Sequence, residues 1–202
     1  MKLYYSPGAC SLSPHIVLCE AGLAADLVKV NLGLKKTEHG DDFNTLNPKG
    51  YVPALLLDDG TLLTEGAAIV QYLADQVPDQ LLAPANGTVA RYQLQSWLNF
   101  IAAEVHKSMG AFFNPKLPEA YRDILRDILR QRLDYTAAHL QGHDYLMGDR
   151  FSVADAYLFT VLNWAPLVQF DLAPWPIVQA YVARVAARPA TRQAMRAEGL
   201  LD

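Results

Sequence analysis

Over roughly the first 80 residues, short apolar runs alternate with helical stretches; beyond them only helical periodicity is visible. Residues 2–5 read as a strand. Ser13 followed by Pro14 reads as an N-cap with proline in the first turn. The helix it opens runs to Ala21, and Gly22 ends it. Residues 27–30 make a second strand. Residues 31–50 are polar and rich in Gly, Lys and Asn, so a loop with at most a short helix is expected. Residues 54–57 and 61–63 flank Asp58-Asp59-Gly60, a hairpin signature. Residues 65–76 then read as a helix with Ala67, Ile69, Val70 and Leu73 apolar. A parallel pair joined to an antiparallel hairpin predicts a mixed four-stranded sheet.

The stretch 77–86 is rich in proline and turn residues, with Ala83-Pro84-Ala85-Asn86-Gly87 at its end, and reads as a linker. Two domains are therefore predicted, 1–80 and 87–202. In the second, residues 88–109 form one long helix and 118–140 another. Ser152-Val153-Ala154-Asp155 resembles a capping box opening a third, with Asp in place of the usual Glu. Residues 176–187 make a fourth and 189–198 a fifth, stopped by Gly199. No internal repeat or low-complexity tract is found.

Composition narrows the class. The chain has 202 residues, 51% hydrophobic and 19% charged, which excludes disordered and fibrous proteins. Two cysteines are too few for a disulfide scaffold. A net charge of −4 argues against a nucleic-acid partner. The charge is unevenly spread: residues 1–80 hold five Lys, no Arg and ten acids, whereas ten Arg fall after residue 80. No signal-peptide pattern opens the sequence, and no uninterrupted apolar stretch is long enough to span a membrane. A cytoplasmic protein without membrane contact is expected. His139 and His143 lie four apart with no acid partner, so no metal site is expected.

The candidate chemistry begins with Cys10, between the first strand and the first helix. Unpaired helix amides make such a turn electropositive, which favours a thiolate. A loop cysteine without a role is the alternative. Cys19, inside the helix, reads as an apolar core residue. No C-x-x-C motif is present, and the helical rise between Cys10 and Cys19 argues against a disulfide joining them. Val52-Pro53 opens a strand. A cis bond there leaves the Val52 N–H and C=O available to an extended peptide; an ordinary turn proline is the alternative. Glu65-Gly66 marks a helix start, where bare amides suit a carboxylate and Glu65 suits an ammonium. One ligand end carrying both charges, an α-amino acid, fits the pair. A plain first-turn acid fits equally. Asn99, Ala102, Ala103 and His106 recur at helical spacing and would line one face, the wall of a cavity.

Together these features resemble the bacterial beta-class glutathione S-transferases over the whole chain. The resemblance is carried by Tyr4-Tyr5-Ser6-Pro7-Gly8-Ala9-Cys10-Ser11, Val52-Pro53-Ala54, Leu63-Thr64-Glu65-Gly66, Trp97-Leu98-Asn99-Phe100 and Phe151-Ser152-Val153-Ala154-Asp155. It implies a thioredoxin-like N-terminal domain, an all-helical C-terminal domain and a homodimer. It implies glutathione as co-substrate, with no permanently bound cofactor. Cys10 lies beside the glutathione sulfur and His106 is the second residue near it, the pair expected to be catalytic. Tyr5 matches a site tyrosine without being the main catalytic group. Val52, ahead of a cis-Pro53, pairs with the cysteinyl backbone, and Glu65 and Gly66 hold the γ-glutamyl end. Lys35 and Lys107 supply positive charge. Asn99 and the run Ala103-Glu104-Val105-His106 complete the site, some of it from the partner subunit. Gly66 and Ala103 stand where relatives often carry a hydroxyl.

The physical reading agrees. Glutathione is an extended, net anionic tripeptide, so an acidic domain needs local positive features to hold it. Its thiol, with an ordinary pKa of ~8.5, must ionise near neutral pH to attack an electrophile. Helix amides, Ser11 and His106 are the expected stabilisers. The second substrate is expected to be small, electrophilic and apolar, near Tyr5, Phe112, Phe113 and Trp164. Two other activities stay open. One is glutathione-dependent thiol–disulfide exchange or reductive dehalogenation through Cys10. The other is ligand carriage without turnover on the same fold.

Overall fold

The computed structural model describes residues 1–202, which divide into two compact units: Met1–Leu82 with Arg188–Asp202, and Ala83–Ala187. A single cut near residue 80 misses the return of the last segment to the first unit. The N-terminal unit holds β1 (Lys2–Tyr5), α1 (Leu12–Ala21), β2 (Asp26–Asn31), β3 (Lys36–Thr37), α2 (Phe43–Leu46), β4 (Ala54–Leu56), β5 (Leu62–Thr64) and α3 (Gly66–Asp75). The sheet has five strands in the order β3-β2-β1-β4-β5 rather than the four expected. The extra strand is the two-residue β3, antiparallel to β2, too short to leave an alternation in the sequence. β1 runs parallel to β2 and antiparallel to β4, and β4–β5 is the hairpin, with Gly60 at φ 85° in its turn.

Strand alternation sorts the two faces. Leu3 and Leu55 are fully buried. Val30, Phe43, Val52 and Ala54 form a cluster with Tyr4 packed against it. α1 is buried nearly all round, with Leu12, Ile16 and Val17 inaccessible, because α3 packs on one side of it and the last helix, α9 (Pro189–Ala197), on another. Its N-cap is Ser11 rather than Ser13, so Pro14 falls in the first turn, and Gly22 closes it in the left-handed conformation.

The second unit is all helical: α4 (Val89–Phe100), a π-helical stretch Ile101–His106, α5 (Lys107–Ala111), α6 (Glu119–His139), α7 (Val153–Leu162) and α8 (Pro176–Ala186). All ten residues of α7 are buried. The capping box at its start is formed, with Ser152 and Asp155 satisfying each other's backbone amides. Asp155 is fully buried and also accepts from the Leu146 amide at 2.8 Å and the Tyr181 hydroxyl at 3.0 Å. Burial pushes its carboxyl above the usual range, against the pull of those donors. No helix is long and apolar enough to cross a membrane.

Candidate active site

In the first unit the turn between β1 and α1 carries Cys10, half-exposed. The Val52–Pro53 bond is cis, and the Cys10 thiol donates to the Val52 carbonyl at 3.1 Å. The turn is anchored from several sides. Ser11 is fully buried; its hydroxyl donates to the Ser6 carbonyl at 3.2 Å and accepts from the Ser6 amide at 3.1 Å. Ser11 therefore braces the turn, its hydroxyl proton engaged by Ser6, whereas the sequence suggests a donor to a bound sulfur. The first helix amides are also engaged: Leu12 donates to Ala9 O and Ser13 to Cys10 O. The electropositive character of the turn rests on the helix dipole rather than on unpaired amides.

Gly8, at φ 71°, donates its amide to Glu198 Oε2 at 2.8 Å, and Glu198 Oε1 meets His15 Nδ1 at 2.9 Å. Both side chains are almost wholly shielded from solvent. Sequence reasoning gave His15 no role and missed Glu198, because the two lie far apart in the chain.

The other expected contacts of this unit fall on adjoining loops. Lys35, at φ 54°, donates to the Gly50 carbonyl at 2.8 Å and lies over the Tyr51 ring at 5.7 Å. It is thereby held beside the segment that leads into Val52. Glu65 caps α3 at φ 68°, and its carboxylate takes the Lys49 ammonium at 2.6 Å. Lys49 was not anticipated, but it does to Glu65 what a ligand ammonium would do. Ala68 and Ile69 donate to the Glu65 carbonyl, which places the Gly66 and Ala67 amides at the open helix end. A Cβ at Gly66 would lie 3.7 Å from Pro53 Cγ and 3.8 Å from Ser13 Oγ, ordinary contacts, so the missing side chain there is not a steric demand. Tyr5 is buried, its ring 6.1 Å from His15, and burial together with the Glu198 charge raises its phenol above the usual value.

In the second unit the run Ala103-Glu104-Val105-His106 lies wholly within the π-helical stretch. Such wider turns are rare and recur at functional sites. The wider turn breaks the regular spacing, so Asn99, Ala102, Ala103 and His106 do not continue one α-helical face. Asn99, Ala103 and Lys107 are exposed, whereas Val105 is fully buried and offers only its backbone. Glu104 pairs with Arg132 at 2.7 Å.

His106 is held by partners no local pattern announces. Its Nδ1 lies 2.7 Å from the Tyr157 hydroxyl, and the Trp164 ring meets it edge-on with centroids 5.0 Å apart. Phe113, half-exposed, stacks edge-on against Trp164 at 5.6 Å. Phe112 instead is buried beneath Arg122 and Arg126, so of the four aromatic residues expected around the second substrate, the three in this unit separate into a Phe113–Trp164 pair and a core residue. The only sign of Tyr157 in the sequence is a polar tip within a mostly apolar helix. No cluster of His, Cys, Asp or Glu forms a metal site.

A thioredoxin-like unit with its turn cysteine against a cis-proline strand, followed by a helical unit built on a buried capped helix, defines the glutathione transferase fold. Residues 8–76 match the family model of the glutathione S-transferase N-terminal domain, and residues 100–189 that of the C-terminal domain. The chain is 52% identical to glutathione S-transferase GstA of Escherichia coli O157:H7, over 99% of this chain and 100% of that one. Two solved structures, a beta-class glutathione S-transferase of Sphingomonas chungbukensis and a sphingomonad glutathione S-transferase complexed with glutathione, each superpose with a TM-score of 0.95 at 46% identity over all of both chains. The chain belongs to the glutathione S-transferase family, and its likeness is to the bacterial beta class.

Proposed function

We propose that this protein binds glutathione as its thiolate and adds it to small, mostly apolar electrophiles. The observation that carries the reading is the 3.1 Å approach of Cys10 Sγ to the Val52 carbonyl. It sets a thiol beside the backbone with which an extended peptide would pair, so the sulfur of a cysteinyl residue held there lies next to Cys10. Three further features support the assignment. Glu65 already holds an ammonium, the Gly66 and Ala67 amides can take a carboxylate, and Lys35 offers charge near the other end. A relative of the same fold is solved as a complex with glutathione. Asn99, Ala103, Glu104, the Val105 backbone, His106 and Lys107 are assigned to the site from the second unit, and a homodimer is part of this reading.

In the mechanism, the ligand's thiol loses its proton on binding, the thiolate attacks an electrophilic carbon, and the leaving group departs. Cys10 and His106 stabilise the anionic sulfur, and Tyr5, kept neutral by burial, does not serve as the main acid or base. Replacing Cys10 by Ala separates this from sulfur exchange at Cys10. Conjugation of glutathione to an activated aryl chloride should largely survive in Cys10→Ala, whereas disulfide exchange with a glutathione mixed disulfide should vanish. Loss of conjugation with the exchange retained would contradict the proposal.

A further inference from the structure

The hydrogen bond between His106 and Tyr157 has a direction that bears on the chemistry. Tyr157 is 4% exposed and rises from α7, the buried helix of the second unit, so its hydroxyl is fixed by the core rather than by solvent. The O···N distance to His106 Nδ1 is 2.7 Å. That is the usual length for a hydroxyl donor and the short extreme for a ring N–H donor, whose contacts centre at ~2.9–3.0 Å. Basicity points the same way. An imidazole nitrogen binds a proton near pH ~6.5, whereas a phenol oxygen is a poor acceptor that gives up its own proton near ~10.

The ring has little freedom to turn. Tyr157 and Trp164 meet it edge-on at interplanar angles of 86° and 67°. Gly110, one turn further along the helix, borders the Cδ2–Nε2 side of the imidazole. A Cβ there would lie 3.6 Å from Cδ2 and 4.0 Å from Nε2.

We infer that Tyr157 is a positioning residue whose hydroxyl donates to His106 Nδ1, holds the neutral imidazole as its Nε2–H tautomer, and so makes His106 a hydrogen-bond donor to an anionic sulfur rather than the base that takes the thiol proton. The inference rests on the reading of His106 as a glutathione contact. The proton lost by the thiol then leaves to solvent or another acceptor, and His106 stabilises what remains. A bare Nε2 would do the reverse, repelling the thiolate with its lone pair.

Long-range proton–nitrogen correlation of the imidazoles in the nitrogen-15-labelled full-length protein tests this directly, with His106 assigned by its loss in His106→Asn. The result expected is the Nε2–H pattern in the free protein and a displacement of that Nε2–H signal on saturation with glutathione. Tyr157→Phe keeps the buried ring; it should give a mixture of tautomers and lower kcat about tenfold with the KM for glutathione changed less than about twofold. An Nδ1–H pattern in the wild-type protein overturns the inference, and needs no variant to fold. So does a Tyr157→Phe protein with the original tautomer and full turnover. An Nε2–H signal that bound glutathione does not move overturns the donor role while the glutathione site stands. Failure to bind glutathione at all, seen by calorimetry, rejects the reading of the site instead.

Discussion

Two thiols within one short stretch of chain, both partly exposed, meet different surroundings. Cys19 sits in α1, where burial, reinforced by Glu20 and Glu198, pushes its thiol up to about 11. Since only the thiolate reacts, Cys19 is almost entirely in its inert form at neutral pH, and its reactivity returns only as the pH approaches that value. Cys10 lies half-exposed at the start of the helix. Alkylation with iodoacetamide at pH ~8 should therefore modify a single residue, Cys10, in the native protein, with both modified after denaturation. Mass spectrometry of the peptides reads this, and rapid native labelling of Cys19 would contradict it. Cys10 was legible at this scale because a cysteine at a strand-to-helix turn is a local pattern. The roles of Ser11 and Tyr157 were not, since each is decided by a partner brought up by the fold: Ser6 for one, His106 for the other.

The elements of the chain divide in the same way. Caps, stops and turns are local, so the Gly22 stop, the Asp58-Asp59-Gly60 hairpin and the Ser152–Asp155 box appear where residue order alone puts them. The two-residue β3 and the π-helical stretch 101–106 do not, because one carries no alternation and the other shares the composition of an α-helix. The capping box is also where one helix carries much of its unit. Asp155 Oδ2 accepts from the amide and hydroxyl of Ser152, both at 2.8 Å, while Oδ1 serves Leu146 and Tyr181. Asp155→Ala leaves those buried donors without an acceptor and should cost about 3–5 kcal/mol. Urea unfolding measures it, and a loss under about 1 kcal/mol would mean the donors find other partners.

At the scale of the molecule, the chain ends where it began. The segment Arg188–Asp202 belongs to the N-terminal unit. α9 packs on α1, Arg188 grips Glu20 through two hydrogen bonds of 2.6 and 2.9 Å, and Glu198 reaches both His15 and the Gly8 amide of the Cys10 turn. No periodicity in the sequence joins these ends; only packing does. Glu198→Ala leaves the Gly8 amide and the buried His15 ring without their hydrogen-bond partner and should lower stability by about 2–4 kcal/mol. Its unfolding midpoint in urea should fall accordingly, and an unchanged midpoint would show that α9 is held by its apolar face alone.

The proposed activity requires that this fold take up glutathione and hold its sulfur as an anion. Ultraviolet titration of the bound thiol tests it most directly, with free glutathione as the reference. Thiolate absorbance in the complex should appear well below the ordinary thiol pKa of ~8.5, each tenfold gain in the acidity of the bound thiol being worth ~1.36 kcal/mol of preference for the anion. A bound thiol that titrates where the free one does would contradict it.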